Sequence, residues 1–386
     1  MFKFNEKPEY RAHEDAFILL RKLFYEFGQT RTCKILNKCC MYFHICGYLL
    51  QFYYIYRHPN TDVFRYSFGL ANMAYAITCM IFYTILDKDI DKIYQVLDSS
   101  LWSVHSVQPH VSKKIQNQSK KFKYLYIYAI LVVQVVGGVA HLSIWGSHSE
   151  LQLSVLAFKA FFGSWSRIIE HFYFCTFLYL AYVILRLPLL LLYVFLQLEI
   201  QFILLNRHIL CISSNHNEEH VHNEVAQRDI KRKTIFCVKQ HLVLKKVAMQ
   251  TFEVVKPTMP IFLLLGILSS VTFMIILLLD LKSLSTISIV RLFFLVWANV
   301  IIWLTFCEAG QKIMDQTGAT FDTIVKCSWY NWDIKNRRFL LMFMTNSENP
   351  LRLYLAGITL NYKLIVNMYR ISFTNALVFY NLNQNS

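Results

Sequence analysis

Charge is what this sequence has least of. Only 16% of its 386 residues are Asp, Glu, Lys or Arg, while 55% are hydrophobic; a soluble globular chain carries about 25% charged residues. A chain so poor in polar surface cannot remain in water. Acidic residues are the scarcer sign, 24 against 39 basic, leaving a net charge of +15. GxGxxG, GxxxxGK, GxSxG, HExxH and CxxC are all missing, so no phosphate cradle, nucleophile elbow, zinc helix or redox pair points to an enzyme or a cofactor. There is no internal repeat, no Pro-rich or collagen-like tract and no second soluble domain. The segment Met1 to Lys38 is mixed and charged. A cleavable signal would need an apolar core there, so the first span itself has to start insertion.

What is present is a series of apolar blocks. Seven are long enough for a helix to cross about 30 Å of hydrocarbon: Cys39 to Tyr56, Phe68 to Leu86, Tyr124 to Trp145, Phe172 to Leu198, Pro257 to Leu279, Leu292 to Ala309 and Tyr362 to Leu382. The expected fold is therefore all-α, a seven-transmembrane-helix bundle. The last block is the most polar, interrupted by Asn367, Arg370, Ser372, Thr374, Asn375 and Asn381; polar groups in a span are costly unless they face protein or water. The fourth continues toward Leu205, long enough to protrude beyond the bilayer, with Pro188 placed to kink it and Arg186 to snorkel toward the headgroups.

Most of the 39 basic residues lie before the first span, between the second and third, between the fourth and fifth, and between the sixth and seventh. The alternate loops hold only Arg57, Arg65, Lys159, Arg167, Lys282 and Arg291. That bias predicts a cytoplasmic N-terminus and an extracellular C-terminus. The basic residues then face anionic lipid, and no nucleic acid partner is expected. None of the ten Cys falls in an external loop, and the one N-x-S/T sequon, Asn117 to Ser119, falls on the cytoplasmic side.

Aromatic and polar residues collect in the outer halves of four spans: Asn72, Met73 and Tyr75; His141 and Trp145; Tyr173, Phe174 and Phe177; Phe293, Phe294 and Trp297. Taken singly, each suits a lipid-facing belt or ordinary packing. Together they can enclose an apolar pocket with a few polar handles, and Gly137 and Gly138 allow close approach. His216, His220 and His222 have metal-like proximity, but a flexible loop rich in Asn and Glu gives them no rigid geometry, and they read as a solvated loop.

The run Cys237 to His241, then Cys307 to Gly310, then Cys327 to Tyr330, resembles the insect odorant receptor family. So does the stretch Arg337 to Leu382, with Arg337-Arg338, Asn349-Pro350-Leu351 before Ala356-Gly357, and Arg370 to Thr374 in place of the family's basic-x-Ser-Tyr-Ser. Phe373 and Thr374 are mild departures, and Arg186 stands in a span where an acidic residue is more usual. Thr374-Asn375 to Asn381-Leu382 is a poor counterpart of the gustatory receptors' closing motif.

The resemblance implies an odorant-gated, non-selective cation channel, a heterotetramer with an obligate odorant co-receptor. It would sit in the plasma membrane of sensory neuron dendrites and be opened by a small volatile organic ligand. It implies a cytoplasmic segment 1–38, a ligand-binding bundle 39–309 with a long cytoplasmic loop 206–256, an anchor region 310–361, and a pore-lining seventh helix with a short tail, 362–386. The pocket would be drawn from Asn72, Met73, Tyr75, Gly138, His141, Trp145, Tyr173, Phe174, Phe177, Phe293 and Trp297. Pore residues would be Thr374, Asn375, Ala376 and Tyr380, the last bulky for that position. Of the rivals, a gustatory receptor shares the topology. A G-protein-coupled receptor needs an external N-terminus and a DRY where Gly146-Ser147-His148 stands. A transporter needs paired interrupted spans.

Overall fold

A computed structural model describes residue 15 and residues 17–59, 61, 63–103, 109–141, 152–214, 223–279, 284–355 and 358–384. An N-terminal helical stretch comprises α1 (Ile18–Leu20), a π-helical turn (Arg21–Glu26) and α2 (Phe27–Gln29). The long helices follow: α3 (Arg31–Arg57), α4 (Val63–Ser100) and α5 (Pro109–His141). Two short ones, α6 (Leu153–Phe162) and α7 (Ser166–Cys175), precede α8 (Phe177–Ser214). Then come α9 (Glu224–Val255), α10 (Met259–Leu279), α11 (Thr286–Val325), α12 (Ile334–Ser347), a two-residue hairpin of β1 (Tyr354–Leu355) and β2 (Ile358–Thr359), and α13 (Tyr362–Gln384).

Among the described residues, five stretches are long and apolar enough to cross a membrane: Arg65–Ser100, Phe122–Val139, Leu153–Ile212, Met259–Leu279 and Thr286–Val325. The other two expected spans are α3 and α13, of 27 and 23 residues. At 1.5 Å per residue both are long enough, but both are more polar. In α3 the reason is visible. Its bundle-facing stripe is Cys33, Asn37, Cys40, His44, Gly47 and Gln51, spaced alternately four and three apart so that all fall on one face. The polar members are paired inside: Asn37 donates to Met80 O at 3.0 Å, and His44 meets Thr176 Oγ1 at 2.8 Å.

The central element is α8. It is apolar all round, as a helix enclosed by others must be, and it packs on α4, α5, α9 and α11; Leu189, Leu192, Tyr193, Phe195, Leu198 and Phe202 are fully buried. Arg186 corrects the snorkelling expected of it. Its side chain turns inward, with Nε donating to Phe24 O at 3.0 Å and the guanidinium 3.5 Å over the Tyr83 ring. Gly28 permits this, because a Cβ there would lie 2.5 Å from the guanidinium nitrogen.

The helices outrun the spans on the side of the basic loops. The expected loop 206–256 is largely helix, the end of α8 and then α9, whose start is capped by Asn223 accepting from Val225 and Ala226 N–H. Likewise α11 continues well past Ala309 to Val325, and Asp333 caps α12 through Asn336 N–H at 2.7 Å. Residues Ile230, Cys237, Leu244 and Val247 bury one face of α9, so that helix is held by packing on protein rather than by lipid. His216, His220 and His222 lie outside the described residues.

Candidate ligand cavity and helix α13

At the end of the bundle away from α9 and α12 lies a cavity of about 180 Å³. Helices α3, α4, α5, α8 and α11 and the α6–α7 insertion build it. The break between α7 and α8 at Thr176, whose hydroxyl folds back onto Tyr173 O at 2.6 Å, turns Tyr173, Phe174 and Phe177 toward one another with ring centroids 5.1–5.5 Å apart. From α4 come Asn72, Met73 and Tyr75, and from α5 Val133, Val136 and Gly137. The start of α6 contributes Leu153 and Ser154, and α3 contributes Gln51. The wall from α11 is Arg291, Leu295, Ala298, Asn299 and Ile302, a stripe at the three- and four-residue spacing of one helix face.

Six of the expected pocket residues are thus brought together: Asn72, Met73, Tyr75, Tyr173, Phe174 and Phe177. Phe293 and Trp297 are placed elsewhere. They stack on each other at 6.5 Å on the outer side of α11, 64% and 41% exposed. Gly137, not Gly138, lines the cavity, and a Cβ on Gly137 would sit 3.0 Å from Phe177 O, which sets how closely α5 and α8 approach. The backbone of His141 ends α5, while its side chain and Trp145 lie outside the described residues.

The lining is mostly apolar, and the two asparagines in it are bonded to each other. Asn299 Nδ2 donates to Asn72 Oδ1 and to Leu295 O, both at 3.0 Å, and Asn72 Nδ2 donates to Phe68 O at 2.8 Å. Ser269 of α10 donates to Asn72 Oδ1 at 3.4 Å, tying α4, α10 and α11 at one level. Such a site holds a small, largely apolar molecule by shape and dispersion, with a few polar contacts to orient it. No group of three or more metal-ligating side chains occurs among the described residues.

Helix α13 packs mainly on α10. Leu364, Met368, Ser372 and Ala376, each four apart, are the buried stripe, with Ala376 against Val271 and Ile275. Thr374 and Asn375 are exposed on other faces and Tyr380 is half-buried. The four residues expected to line a pore therefore do not share a face, Ala376 pointing back onto α10. At the foot of α13, Tyr362 donates a hydrogen bond to Glu308 of α11. Lys312, one turn on, lies 3.1 Å from Glu199 of α8 and 3.8 Å from Glu308.

No curated protein matches the chain. Among solved structures it is similar to the insect olfactory receptor OR5 from Machilis hrabei in complex with eugenol, at 10% identity and a TM-score of 0.68, over 96% of this chain and 97% of that one. A second structure of the insect olfactory receptor OR5 from Machilis hrabei gives 10% identity and a TM-score of 0.65 over 91% of this chain and 90% of that one. At that identity the likeness speaks for the fold. The sequence itself matches the 7tm Odorant receptor family model over residues 60–373, a span that includes every cavity-lining residue except Gln51, and the chain belongs to the insect odorant receptor family.

Proposed function

We propose that this receptor is the odorant-binding subunit of an odorant-gated, non-selective cation channel, assembled with the odorant co-receptor in the plasma membrane of sensory neuron dendrites. Its N-terminus lies inside and its C-terminus outside. The volatile ligand occupies the cavity between α4, α5, α8 and α11, and α13 faces the conducting path. The observation that carries the reading is the incomplete burial of α13. Only one stripe of this 23-residue helix packs on α10, and Thr374 and Asn375 are left exposed on a helix of membrane-crossing length. Exposed amide and hydroxyl groups are costly in hydrocarbon, so that side of α13 needs other subunits and water. The basic-residue asymmetry supports the orientation.

In a narrow passage, a charge added to the wall acts on ions with little screening. Co-expressed with the co-receptor, Asn375→Glu and Asn375→Lys should shift the reversal potential in mixed cation solutions in opposite directions, with little change in odorant threshold; Thr374→Glu and Thr374→Lys should behave likewise. An epitope tag after Ser386 should stain on the same intact cells. Identical reversal potentials for Glu and Lys at both positions would remove α13 from the pore.

A further inference from the structure

The two asparagines that face each other across the cavity wall have unequal hydrogen-bonding capacity left over. A neutral carboxamide offers two N–H donors and one oxygen that accepts twice. Both donors of Asn299 are committed, to Asn72 Oδ1 and to Leu295 O. That fixes the orientation of its amide, since a flipped Asn299 would set its oxygen against two acceptors. Asn72 spends one donor on Phe68 O, and its oxygen accepts from Asn299 and Ser269; flipping it would oppose oxygen to the Phe68 carbonyl. Between these two amides, what remains is one acceptor, Asn299 Oδ1, and one donor, the second N–H of Asn72. Asn72 and Asn299 are half-buried and line the cavity, beside the apolar Met73, Phe177, Leu295 and Ala298 and the buried Tyr75, Tyr173 and Arg291.

A hydroxyl group matches that pair, because it donates one hydrogen bond and accepts another. An ether or ketone can only accept, a hydrocarbon does neither, and a carboxylate would set its charge against Asn299 Oδ1. We infer that the cavity takes a neutral, hydroxyl-bearing ligand, an alcohol or phenol on a compact apolar body. Its O–H donates to Asn299 Oδ1 and its oxygen accepts from Asn72 Nδ2. This rests on the cavity being the odorant site. Leaving one of two paired groups unmatched inside a pocket costs affinity that a change in apolar bulk does not restore.

The test uses the full-length chain with the co-receptor. The probes are 1-octanol, 2-phenylethanol and 4-ethylphenol, each beside its methyl ether and its parent hydrocarbon. For at least one skeleton the hydroxyl compound should evoke current at a concentration about tenfold or more below its ether. Asn299→Leu should erase that gap and leave the hydrocarbon response in place. Ala298→Trp, which fills the cavity while keeping both asparagines, should depress all three alike. Equal potency of alcohol and ether on the wild-type receptor overturns the inference by itself, whatever becomes of the Leu variant, and so does a gap that survives Asn299→Leu. In either case, depression by Ala298→Trp leaves the cavity as the odorant site. If Ala298→Trp changes no response, or the wild-type receptor answers none of the probes while present at the surface, the cavity reading falls and the inference falls with it.

Discussion

Replacing Lys312 by Met removes the one ammonium that joins Glu199 and Glu308. Its Nζ lies 3.1 Å from Glu199 Oε1 and 3.8 Å from Glu308 Oε1, and the three side chains are only 19%, 11% and 21% exposed. At an effective dielectric of about 20, those separations correspond to attractions of about 5 and about 4 kcal/mol before desolvation is counted. Repulsion between the carboxylates and the cost of dehydrating all three groups offset much of that. Removing one partner is a different matter, because the carboxylates stay behind in a poorly hydrated site, and the loss is then about 3 kcal/mol. A contact 4.1 Å above the Phe122 ring is lost as well. The thermal midpoint of the detergent-solubilised protein should fall by several degrees in Lys312→Met. Lys312→Arg should stay near wild type, and adding Glu199→Gln to Lys312→Met should restore about 1 kcal/mol or more, since the pair is coupled. If Lys312→Met melts within a degree of wild type and Glu199→Gln simply adds to it, the cluster is a solvated surface network and this account of it is wrong.

His241 of α9 is buried between Phe202 and Phe343 with neither ring nitrogen bonded, and burial, with Lys245 nearby, lowers its pKa from 6.5 to about 4. The unfolded chain therefore binds a proton that the fold excludes as pH falls from 6.5 to 4, and stability should drop across that window by about 3 kcal/mol. Unfolding midpoints measured from pH 7 down to 4 should lose that part of their slope in His241→Leu; an unchanged slope would mean the ring already carries its proton in the fold. Gly310→Ala should destabilise the junction between α11 and α13 by about 2 kcal/mol or more, because the new Cβ would stand 2.0 Å from Leu360 O, a backbone atom. A melting curve equal to wild type would show that the two elements are not in contact.

Hydropathy located five of the seven expected spans as long apolar helices, because a span must be apolar over a fixed length, and the more polar α3 and α13 as helices of sufficient length. It said little about where helices continue in water. The far halves of α4 and α11 and the whole of α9 are amphipathic, and their apolar positions, Ile230, Cys237, Leu244 and Val247 in α9, are legible only by a 3.6-residue period, not by a run. The cavity was half-legible for a related reason. Tyr173, Phe174 and Phe177 stand out as a cluster, but on α11 the aromatics Phe293 and Trp297 draw attention to the outer side, while the inner wall, Arg291, Leu295, Ala298, Asn299 and Ile302, carries no aromatic residue. Asn299 was the available signal. An amide inside an apolar span has to face protein, and counting Leu295, Ala298 and Ile302 from it gives the buried face. Gln51 and the start of α6 belong to segments that meet the cavity only through tertiary packing, which no local pattern announces.

Helix α11 is unbroken for 40 residues, about 60 Å of rod. Asn299, on the cavity wall, and Lys312, at the foot of α13, are both fixed to it, about 20 Å apart along its axis. A stiff rod pivoting by about 5° near the cavity carries Lys312 sideways by about 2 Å. That sweep is enough to take its 3.1 Å contact with Glu199 beyond ion-pair range and to tug Glu308, and through it Tyr362, in the same stroke. The amide on the cavity wall and the carboxylate that meets the foot of the last helix thus sit on one lever. A displacement too slight to alter the cavity's outline would be magnified at the root of α13.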